Sequence, residues 1–308
     1  MPRPKTPRTA PAWDAALFDT YSVFFRAFHA LPRMNTSGGE PTSALYGFSA
    51  LVLKILREQR PKTLSFALDA PARTFRAEKY PDYKAGRAKL PSELGVQLGR
   101  LPELLGAFGV PALCAPGFEA DDVLATVALR LNAAGARVLI VSGDRDLLKL
   151  ASESVNVWFV GARGKDATLF DGAAVTARFG VPPDRLTTWF ALVGDNSDHL
   201  IGVPGIGPST ATKLVLEHGS VEGLLQNLAS VEPARTREAI ASAAERLRMN
   251  EELATLRLDV PLTEQQLAGA ITESGYAKLA ELFTALEFKS LLPRVDALVK
   301  LQTAQHSA

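Results

Sequence analysis

The sequence predicts an α/β protein, with a mostly parallel central sheet flanked by helices and a helical second half. From Trp13 to about residue 160, short apolar runs alternate with longer segments of helical periodicity, which is the pattern of parallel strands joined by crossover helices. Beyond about residue 171 the strand-like runs fade, while helical patterns separated by Gly and Pro continue. These two observations favour a sheet core on which the helical second half packs.

The predicted strands are short and apolar, and the predicted helices carry apolar residues at helical spacing. The first-half strands lie at 15–18, 64–68, 110–113 and 137–141, and the first-half helices at 21–31, 42–58, 94–108 and 120–132. The second-half helices lie at 173–179, 185–193, 210–217, 236–256 and 276–286. We find no internal repeat of the solenoid type, and the length fits either one large domain or a core with a helical appendage.

Length and composition are those of a soluble globular protein. The 308 residues exceed a typical single domain, and a hydrophobic content of 47% with 22% charged residues excludes the composition of a disordered chain. The lone Cys114 excludes an internal disulfide, and no apolar run approaches the roughly 20 residues that span a bilayer. The basic, Pro-rich start lacks the apolar segment of a secretory signal. We therefore expect a reducing, cytoplasmic setting and no membrane partner.

Carboxylates stand where predicted strands end and where predicted helices begin or end. Nine acids occupy such positions: Asp19, Asp69, Glu119, Asp121, Asp122, Asp144, Asp146, Asp195 and Asp198. In a parallel sheet, ligands bind outside the carboxyl ends of the strands. The acids that follow strands should therefore converge on one edge of the sheet, although they lie far apart in sequence.

Helix capping explains each acidic cluster about as well when it is taken singly, since Asp and Glu favour helix N-termini. The complete set favours a metal site, because clustered like charges need either raised pKa values or cations among them. All-oxygen ligands without a His or Cys constellation indicate Mg²⁺ or Mn²⁺. Two such ions about 4 Å apart stabilise both the attacking and the leaving oxygen of a phosphodiester displacement.

A basic segment with interleaved aromatic residues follows Asp69. Its bases are Arg73, Arg76, Lys79, Lys84, Arg87 and Lys89, and its rings are Phe75, Tyr80 and Tyr83. Bases that contact phosphates and rings that stack on nucleobases are the components of a groove for single-stranded nucleic acid. A solvated surface loop is the alternative that this segment alone leaves open.

A glycine-punctuated turn, GVPGIG, lies directly after the last two acids. Gly202, Gly205 and Gly207 permit left-handed backbone conformations, and Ser209 begins the next helix with Lys213 close behind. Such a turn is typical of a helix-hairpin-helix motif, which presents backbone N–H groups to a DNA phosphate independently of sequence. An ordinary glycine loop is the alternative.

Taken together, these segments resemble the 5′ nuclease family, which includes the 5′→3′ exonuclease domain of bacterial DNA polymerase I and, more distantly, flap endonucleases. The matching pieces, in family order from about residue 13 to about residue 292, are LFDTYSVFFRAFHAL, YGF, FALDAPARTFR, YKAGRA, GFEADDVLATVA, VSGDRDLLKL, LVGDNSDHLIGVPGIGPSTATKLV and LEFKSLL. The resemblance therefore covers nearly the whole chain.

The resemblance implies a PIN-like 5′ nuclease core with a helical arch and a C-terminal helix-hairpin-helix region. We accordingly predict a flexible basic arm over 1–12, the core over 13–180 with the arch at about 71–92, the helical region over 181–292 and a tail over 293–308. The implied activity is metal-dependent hydrolysis of DNA at 5′ ends, flaps, nicks and RNA primers in replication and repair, by a protein that we expect to be monomeric.

The resemblance also implies roles for single residues. One metal group would involve Asp19, Asp69, Glu119, Asp121 and Asp122, and the other Asp144, Asp146, Asp195 and Asp198. Lys84 and Arg87 of the arch would contact the scissile phosphate, Arg26 and Arg76 would hold nearby phosphates, and Tyr83 or Phe25 would stack on an unpaired base. The glycine turn would grip the duplex, with K⁺ bound by its carbonyl groups.

Two positions depart from the family pattern, since Thr20 replaces the Gly that usually follows the first Asp and His199 replaces the Asn that usually follows Asp198. Neither change removes a metal ligand. A small-molecule phosphatase is a poor alternative, because Tyr21 stands where that class needs a second acid. A catalytically inactive DNA-structure-binding module and a nuclease fragment of a DNA polymerase I are the alternatives that remain open.

Overall fold

The computed structural model describes residues 13–84, 90–161, 167–195, 197–262 and 267–306. The predicted basic arm and Arg87 lie outside these ranges. The first half forms a six-stranded sheet in the order β3-β2-β1-β4-β5-β6. Its strands are β1 (Ala15–Asp19), β2 (Thr63–Ala67), β3 (Ala112–Leu113), β4 (Val138–Ser142), β5 (Val155–Val160) and β6 (Ala167–Phe170). The first five strands run parallel to one another, and β6 pairs antiparallel with β5.

Helices connect the strands of the first half and make up most of the second. The first five are α1 (Thr20–Ala30), α2 (Ser43–Gln59), α3 (Phe75–Lys79), α4 (Ser92–Phe108) and α5 (Ala120–Ala133). The others are α6 (Gly172–Phe179), α7 (Leu186–Val193), α8 (Pro208–His218), α9 (Val221–Gln226), α10 (Ala234–Ser242), α11 (Ala244–Ala254), α12 (Glu273–Ala285) and α13 (Leu292–His306). Within the described ranges, no helix combines the length and apolar character needed to cross a membrane.

The predicted α/β class is confirmed, and the differences from the sequence prediction are local. The sequence pattern predicts no strand over 155–160, where β5 lies. A 3-10 turn at Asp146–Leu150 joins β4 to β5, so the sequence lacks the crossover-helix pattern that normally separates two parallel strands. The helix predicted over 236–256 is two helices that meet at Ala243. The segment expected as a tail includes α13, which buries Val295 and Leu298.

The central strands are buried on both faces, so two hydrophobic cores form, one on each side of the sheet. In β1, Ala15 and Leu17 point into the core shared with α5 and α7, and Ala16 and Phe18 point into the core shared with α1, α2 and α4. Because side chains alternate along a strand, a strand buried on both faces is a continuous apolar run. The β1 sequence AALF therefore fits the centre of the sheet.

The carboxyl ends of the three neighbouring strands β2, β1 and β4 lie level with one another. Asp19, the last residue of β1, pairs with Ala67 at the end of β2, and Phe18 pairs with Val141 of β4. The chain leaves each strand end at an acid or within two residues of one. The sheet register thus brings the first acids of the sequence to one edge.

The aromatic cluster beneath this edge sets the stability of the core. The ring of Phe66 lies 5.4 Å from those of Phe18 and Phe108 and 5.7 Å from that of Phe48. We expect Phe66→Ala to lower the free energy of unfolding by about 3–5 kcal/mol, because it leaves a cavity among these rings. Chemical denaturation measures this change. The half-exposed Leu90 provides the control, and Leu90→Ala should stay within about 0.5 kcal/mol of the parent chain.

Candidate active site

The hydroxyl of Ser142 links Asp19, at the end of β1, to Asp144, two residues after β4. Ser142 Oγ donates to Asp19 Oδ2 at 2.5 Å and accepts from the backbone N–H of Asp144 at 2.8 Å. The other oxygen of Asp19 accepts from the N–H of Ser22 and so caps α1. Asp144 in turn accepts from the N–H of Asp146 at 2.9 Å. Backbone N–H groups close in sequence therefore hold both Asp19 and Asp144, and the Ser142 hydroxyl on the neighbouring strand also holds Asp19.

The N-terminus of α5 adds a second group of acids to the same edge. Asp69, two residues after β2, accepts from the N–H of Ala120 at 2.8 Å. Glu119 and Asp122 form a reciprocal capping box at the start of this helix, which satisfies N–H groups that would otherwise lack partners. Helix capping and site formation are thus carried out by the same residues.

The arch connects the α5 acids to the acids of the second half. The strands β7 (Gly194–Asp195) and β8 (Leu200–Ile201) pair as a short antiparallel ribbon. Asp195 lies on β7, and Asp198 lies between the two strands. The Tyr83 hydroxyl lies 3.1 Å from Glu119 Oε2 and 3.0 Å from Asp198 Oδ2. Lys84 Nζ lies 3.2 Å from Glu119 Oε2 and 3.8 Å from Asp198 Oδ1. Arch residues therefore stand between the two predicted metal groups.

Burial and mutual repulsion raise the pKa values of four of the acids. Burial raises the pKa of Asp19 to about 7 against the hydrogen bond from Ser142, and the charges of Asp144 and Asp69 raise it further. Burial, with the charge of Asp146 next, raises the pKa of Asp144 to about 6. The pKa of Asp121 is raised by burial and then by the charges of Asp144 and Asp19.

Asp198 extends this set of interacting charges to the second half of the chain. Burial raises its pKa, Lys84 opposes that rise, and the charges of Asp146, Glu119 and Asp195 add to it. Eight of the nine acids predicted from the sequence thus act on one another, the exception being Asp122. They are far apart in sequence and are gathered by the fold.

Asp122 is fully buried, and protein donors satisfy both of its oxygens. Oδ2 accepts from Arg76 Nη1 at 2.6 Å and from the N–H of Glu119 at 3.1 Å. Oδ1 accepts from Arg76 Nη2 and from the N–H of Arg257, both at 2.8 Å. A carboxylate with four donors has little capacity for a cation, so we revise the expected ligand role of Asp122 to one of support.

Basic side chains already neutralise several of the other acids. Lys149 Nζ lies 2.9 Å from Asp146 Oδ1, and Arg145 Nη2 lies 3.3 Å from Asp195 Oδ2. Over the residues that the structure describes, no group of three His, Cys, Asp or Glu side chains is arranged to hold a metal ion. The donor set still fits divalent cations, because it is all carboxylate oxygen and its buried charges repel one another. To bind cations, Asp146 and Asp195 would have to release Lys149 and Arg145.

Two of the predicted DNA contacts are closed to a ligand. Arg76 is 2% exposed and Tyr83 is 6% exposed, so neither a phosphate nor a nucleobase can reach them in this conformation. Their polar atoms point to carboxylates, which leaves no face for the predicted roles. We therefore revise both predictions, because the charged and polar ends of these side chains are used inside the protein.

Arg26 lies beside the strand-end acids, and Phe25 is partly buried next to it, so their predicted roles in DNA binding stay predictions. The guanidinium of Arg26 donates to the carbonyl of Gly143 and lies over the ring of Phe159 at 5.5 Å. Burial lowers its pKa, while the charges of Asp144 and Asp19 raise it, so a cation lies beside the strand-end acids. Phe25 is half-buried and packs against the core on the α1 side of the sheet.

The glycine turn has one packed end and one open end. A Cβ on Gly202 would overlap with the backbone of Val193, whereas a Cβ on Gly205 or Gly207 would meet no atom within 4 Å. Gly205 has a φ of +83° and is exposed, as are Gly207, Ser209 and Lys213. Gly202 therefore serves packing, and the 205–213 end presents the free surface expected of a phosphate site.

The two departures from the family pattern have simple explanations. His199 has a φ of +59°, a left-handed conformation in which Asn and His are both enriched among non-glycine residues. Thr20 begins α1 with its hydroxyl 3.5 Å from the carbonyl of Phe18, and it is fully buried. Neither residue disturbs the neighbouring acid.

Sequence reasoning missed Ser142, Arg145 and Lys149 as members of the site. Lys149 lies three residues after Asp146 on the same 3-10 turn, so its spacing was an available signal. The cross-strand partner of Ser142 could have been found only from the pairing of β1 with β4.

The raised pKa values predict how the cation-free protein responds to pH. Asp19 and Asp144 bind protons more tightly in the folded state than at the ordinary Asp value of 3.8, so the free energy of unfolding falls as pH rises from about 4 through about 7. In chelator, the thermal midpoint should fall between about pH 5 and about pH 7.5, and Asp19→Asn should flatten this fall. Asp14, whose pKa is lowered, is the control, since Asp14→Asn should keep the slope. An Asp19→Asn profile as steep as that of the parent chain would contradict the prediction.

Two adjoining family models together match residues 14–274 of the chain. The 5′-3′ exonuclease N-terminal resolvase-like domain matches residues 14–180, and the 5′-3′ exonuclease C-terminal SAM fold matches residues 181–274. Both matches lie where the sheet core and the helical second half are observed.

Individual proteins are similar over nearly the whole chain. A 5′-3′ exonuclease of Aquifex aeolicus is 38% identical over 94% of this chain and 98% of its own length. The DNA polymerase I of Mycobacterium tuberculosis is also 38% identical over 94% of this chain, but over 33% of its own length, so the chain spans about one third of the polymerases that it matches. A crystal structure of the bacteriophage T5 flap endonuclease in complex with DNA and metal ions aligns with a TM-score of 0.62 at 18% identity, over 93% of this chain and 98% of that one.

Proposed function

The chain belongs to the 5′-3′ exonuclease family, and from this premise we propose that it is a structure-specific 5′ nuclease that hydrolyses DNA phosphodiester bonds with divalent cations. One observation carries the proposal, namely that eight acids far apart in sequence act on one another beside one sheet edge, four of them with raised pKa values. Such a cluster has little structural benefit, because burial and repulsion disfavour the charged forms. It is useful where cations and a phosphate are to be bound.

Two cations, Mg²⁺ or Mn²⁺, would be held by the acids in two groups. The first group is Asp19, Asp69, Glu119 and Asp121, and the second is Asp144, Asp146, Asp195 and Asp198. When bound, divalent cations lower the pKa of water and neutralise charge on a reacting phosphate. The chain supplies the ligand oxygens, and Ser142 fixes the rotamer of Asp19 from the neighbouring strand.

Lys84 and Arg26 are the side chains that we propose for phosphate binding. Lys84 Nζ stands among the acids, 3.2 Å from Glu119 Oε2, and would turn from the carboxylates to the scissile phosphate as cations take over the acids. Its charge then stabilises the charge that develops on the phosphate. Arg26 lies beside Asp144 and would hold an adjacent phosphate, with Arg87 of the arch expected to help. Hydrolysis would leave a 5′-phosphate and a 3′-hydroxyl group.

The open end of the glycine turn is proposed to bind the duplex away from the cut. Gly205, Gly207 and the first turn of α8 present backbone N–H groups to solvent, with Lys213 on the same helix. Contacts of this kind bind the DNA backbone without reading its sequence. A K⁺ ion on the turn's carbonyl groups would strengthen the grip.

We propose DNA with 5′ flaps, nicks or RNA primers as the substrate, which is consistent with the name of the T5 flap endonuclease and the DNA bound to it. We propose that the protein acts as a monomer in replication and repair. Because the chain spans one third of its polymerase relatives, a nuclease module of a DNA polymerase I is the second form in which this activity would operate.

The decisive experiment compares cleavage of a 5′-labelled flap substrate in Mg²⁺, in Mn²⁺ and in chelator. We expect cleavage in either cation and none in chelator. Asp144→Asn should lower kcat at least about 100-fold, because it removes a ligand of a cation that would neutralise charge on the reacting phosphate. Asp184→Asn is the control, since Asp184 is exposed and pairs only with its neighbour Arg185 among the described residues.

Three outcomes of this comparison would contradict the proposal. Binding without cleavage in every cation would indicate an inactive DNA-structure-binding module. Cleavage that survives chelator would exclude the cation requirement. An Asp144→Asn variant as active as Asp184→Asn would exclude the assigned acids.

The glycine turn offers a second test with its own internal control. Gly207→Ala should leave the thermal midpoint unchanged, since Gly207 has an ordinary φ of −94° and free space around it. It should weaken duplex binding about tenfold, measured by fluorescence anisotropy with Ca²⁺ in place of Mg²⁺, because the methyl group occupies the approach to the N–H groups. Gly202→Ala should instead lower the thermal midpoint by overlap with Val193. Equal binding by Gly207→Ala and the parent chain would exclude this surface as the duplex site.

A further inference from the structure

We propose that Arg76 is a positioning residue that fixes the first leg of the arch over the carboxylates, and that it never contacts DNA. The arch leg is defined here as residues 75–84, which comprise α3 and the turn that ends at Lys84. The inference rests on the proposed function, in which Lys84 serves the phosphate. It assigns to a buried arginine the task of placing that lysine.

Every N–H donor of the Arg76 guanidinium has an acceptor inside the protein. Nη1 and Nη2 hold the two oxygens of Asp122, and Nη1 also lies 3.3 Å from Glu119 Oε2. Nε donates to the carbonyl of Leu253 at 2.7 Å, and Nη2 to that of Thr255 at 2.8 Å. Five donors meet five acceptors, so no donor remains for a phosphate.

These acceptors belong to two separate parts of the fold. Asp122 and Glu119 stand at the start of α5, on the sheet core, whereas Leu253 and Thr255 stand at the end of α11, in the helical second half. Arg76 lies on the arch leg and joins both. One side chain therefore fixes the leg relative to the acids and to the second half at the same time.

The rest of the arch leg packs mainly on the second half. Tyr80 and Tyr83 form a small apolar cluster with Leu200 of β8 and with Leu253 and Ala254 of α11. Outside this cluster, Lys79 pairs with Glu252 of α11, and the N–H of Lys84 reaches the carbonyl of Asp198 at 3.4 Å. The buried ion pair thus anchors the start of a leg whose far end lies at the acids.

Arginine is required at this position because of its geometry. A planar fork can bind a carboxylate through two parallel contacts and still donate to carbonyl groups on its other edges, which a lysine ammonium with three donors cannot do. With Lys at position 76, Asp122 would keep a positive partner, but the carbonyl groups of Leu253 and Thr255 would lose theirs. The leg would then be released from α11.

The test is Arg76→Lys, with Arg130→Lys as the matched control. Arg130 also donates to backbone carbonyls that follow α11, those of Val260 and Leu262, at 3.0 and 2.7 Å, but it lies on α5, and neither of these hydrogen bonds involves the arch leg. Both variants remove arginine-to-carbonyl contacts on the same stretch of chain. A general loss of stability would therefore appear in both.

The first readout is hydrogen exchange without DNA or metal. In Arg76→Lys, the amides of 75–84 should exchange at least tenfold faster, while those of β4 keep their protection and show that the protein is folded. In Arg130→Lys, the arch amides should match the parent chain. Tyr80→Ala, which weakens the apolar cluster and leaves the ion pair intact, should accelerate the same amides if Arg76→Lys cannot be obtained folded.

The second readout separates kcat from substrate binding on the flap substrate. Arg76→Lys should lower kcat about 30-fold and change KM less than threefold, because Lys84 is misplaced while the glycine turn still holds the duplex. A KM increase without faster exchange would show that Arg76 binds phosphate directly and would overturn the inference. Unchanged exchange, or kcat equal to that of Arg130→Lys, would also overturn it. If the parent chain cuts no substrate, the proposed function fails, and the exchange experiment still decides whether Arg76 anchors the leg.

Discussion

The repulsion among buried carboxylates at the carboxyl edge of the sheet is the constraint on which the rest of this structure depends. Strand ends, the start of α5 and the β7–β8 turn fix their positions, and burial, together with the repulsion between their charges, raises four pKa values. Hydroxyl groups, backbone N–H groups and basic side chains offset this repulsion, and the side chains come from three regions of the fold. Ser142 comes from the sheet, Lys149 from the 3-10 turn, and Lys84 from the arch.

The donors differ in how firmly they are held. Arg76 is enclosed by the carboxylates of α5 and the carbonyl groups of α11, and it belongs to the permanent structure. Lys84 is partly exposed and shares its acids with Tyr83. At one end of the arch leg the Arg76 guanidinium is enclosed by the protein, and at the other the Lys84 ammonium would exchange its carboxylates for a phosphate. The arch leg therefore connects the packing of the second half to the acids at the sheet edge.

Much of the fold and most of the acidic cluster could be predicted from the sequence, because both follow from local rules. An apolar run that ends in Asp needs only the strand-end rule to place Asp19, Asp69 or Asp144 at the edge. The same reasoning failed for Arg76 and Tyr83, which look like surface bases and rings in the sequence. Their burial depends on acceptors more than 30 residues away, and no local pattern contains that information. The sequence pattern also fails to predict β5, because the connection from β4 to β5 is not a crossover helix and so gives no helical pattern before the strand.

The contact between Arg26 and Gly143 has a consequence for how this sequence can vary. The arginine lies where the first side-chain carbon of any other residue at position 143 would stand, so the two positions exclude each other sterically. A substitution at 143 requires the Arg26 side chain to move or to be replaced by a shorter residue, whereas a change at 26 alone leaves glycine acceptable. Any side chain at 143 should therefore displace the Arg26 cation from its place beside the acids.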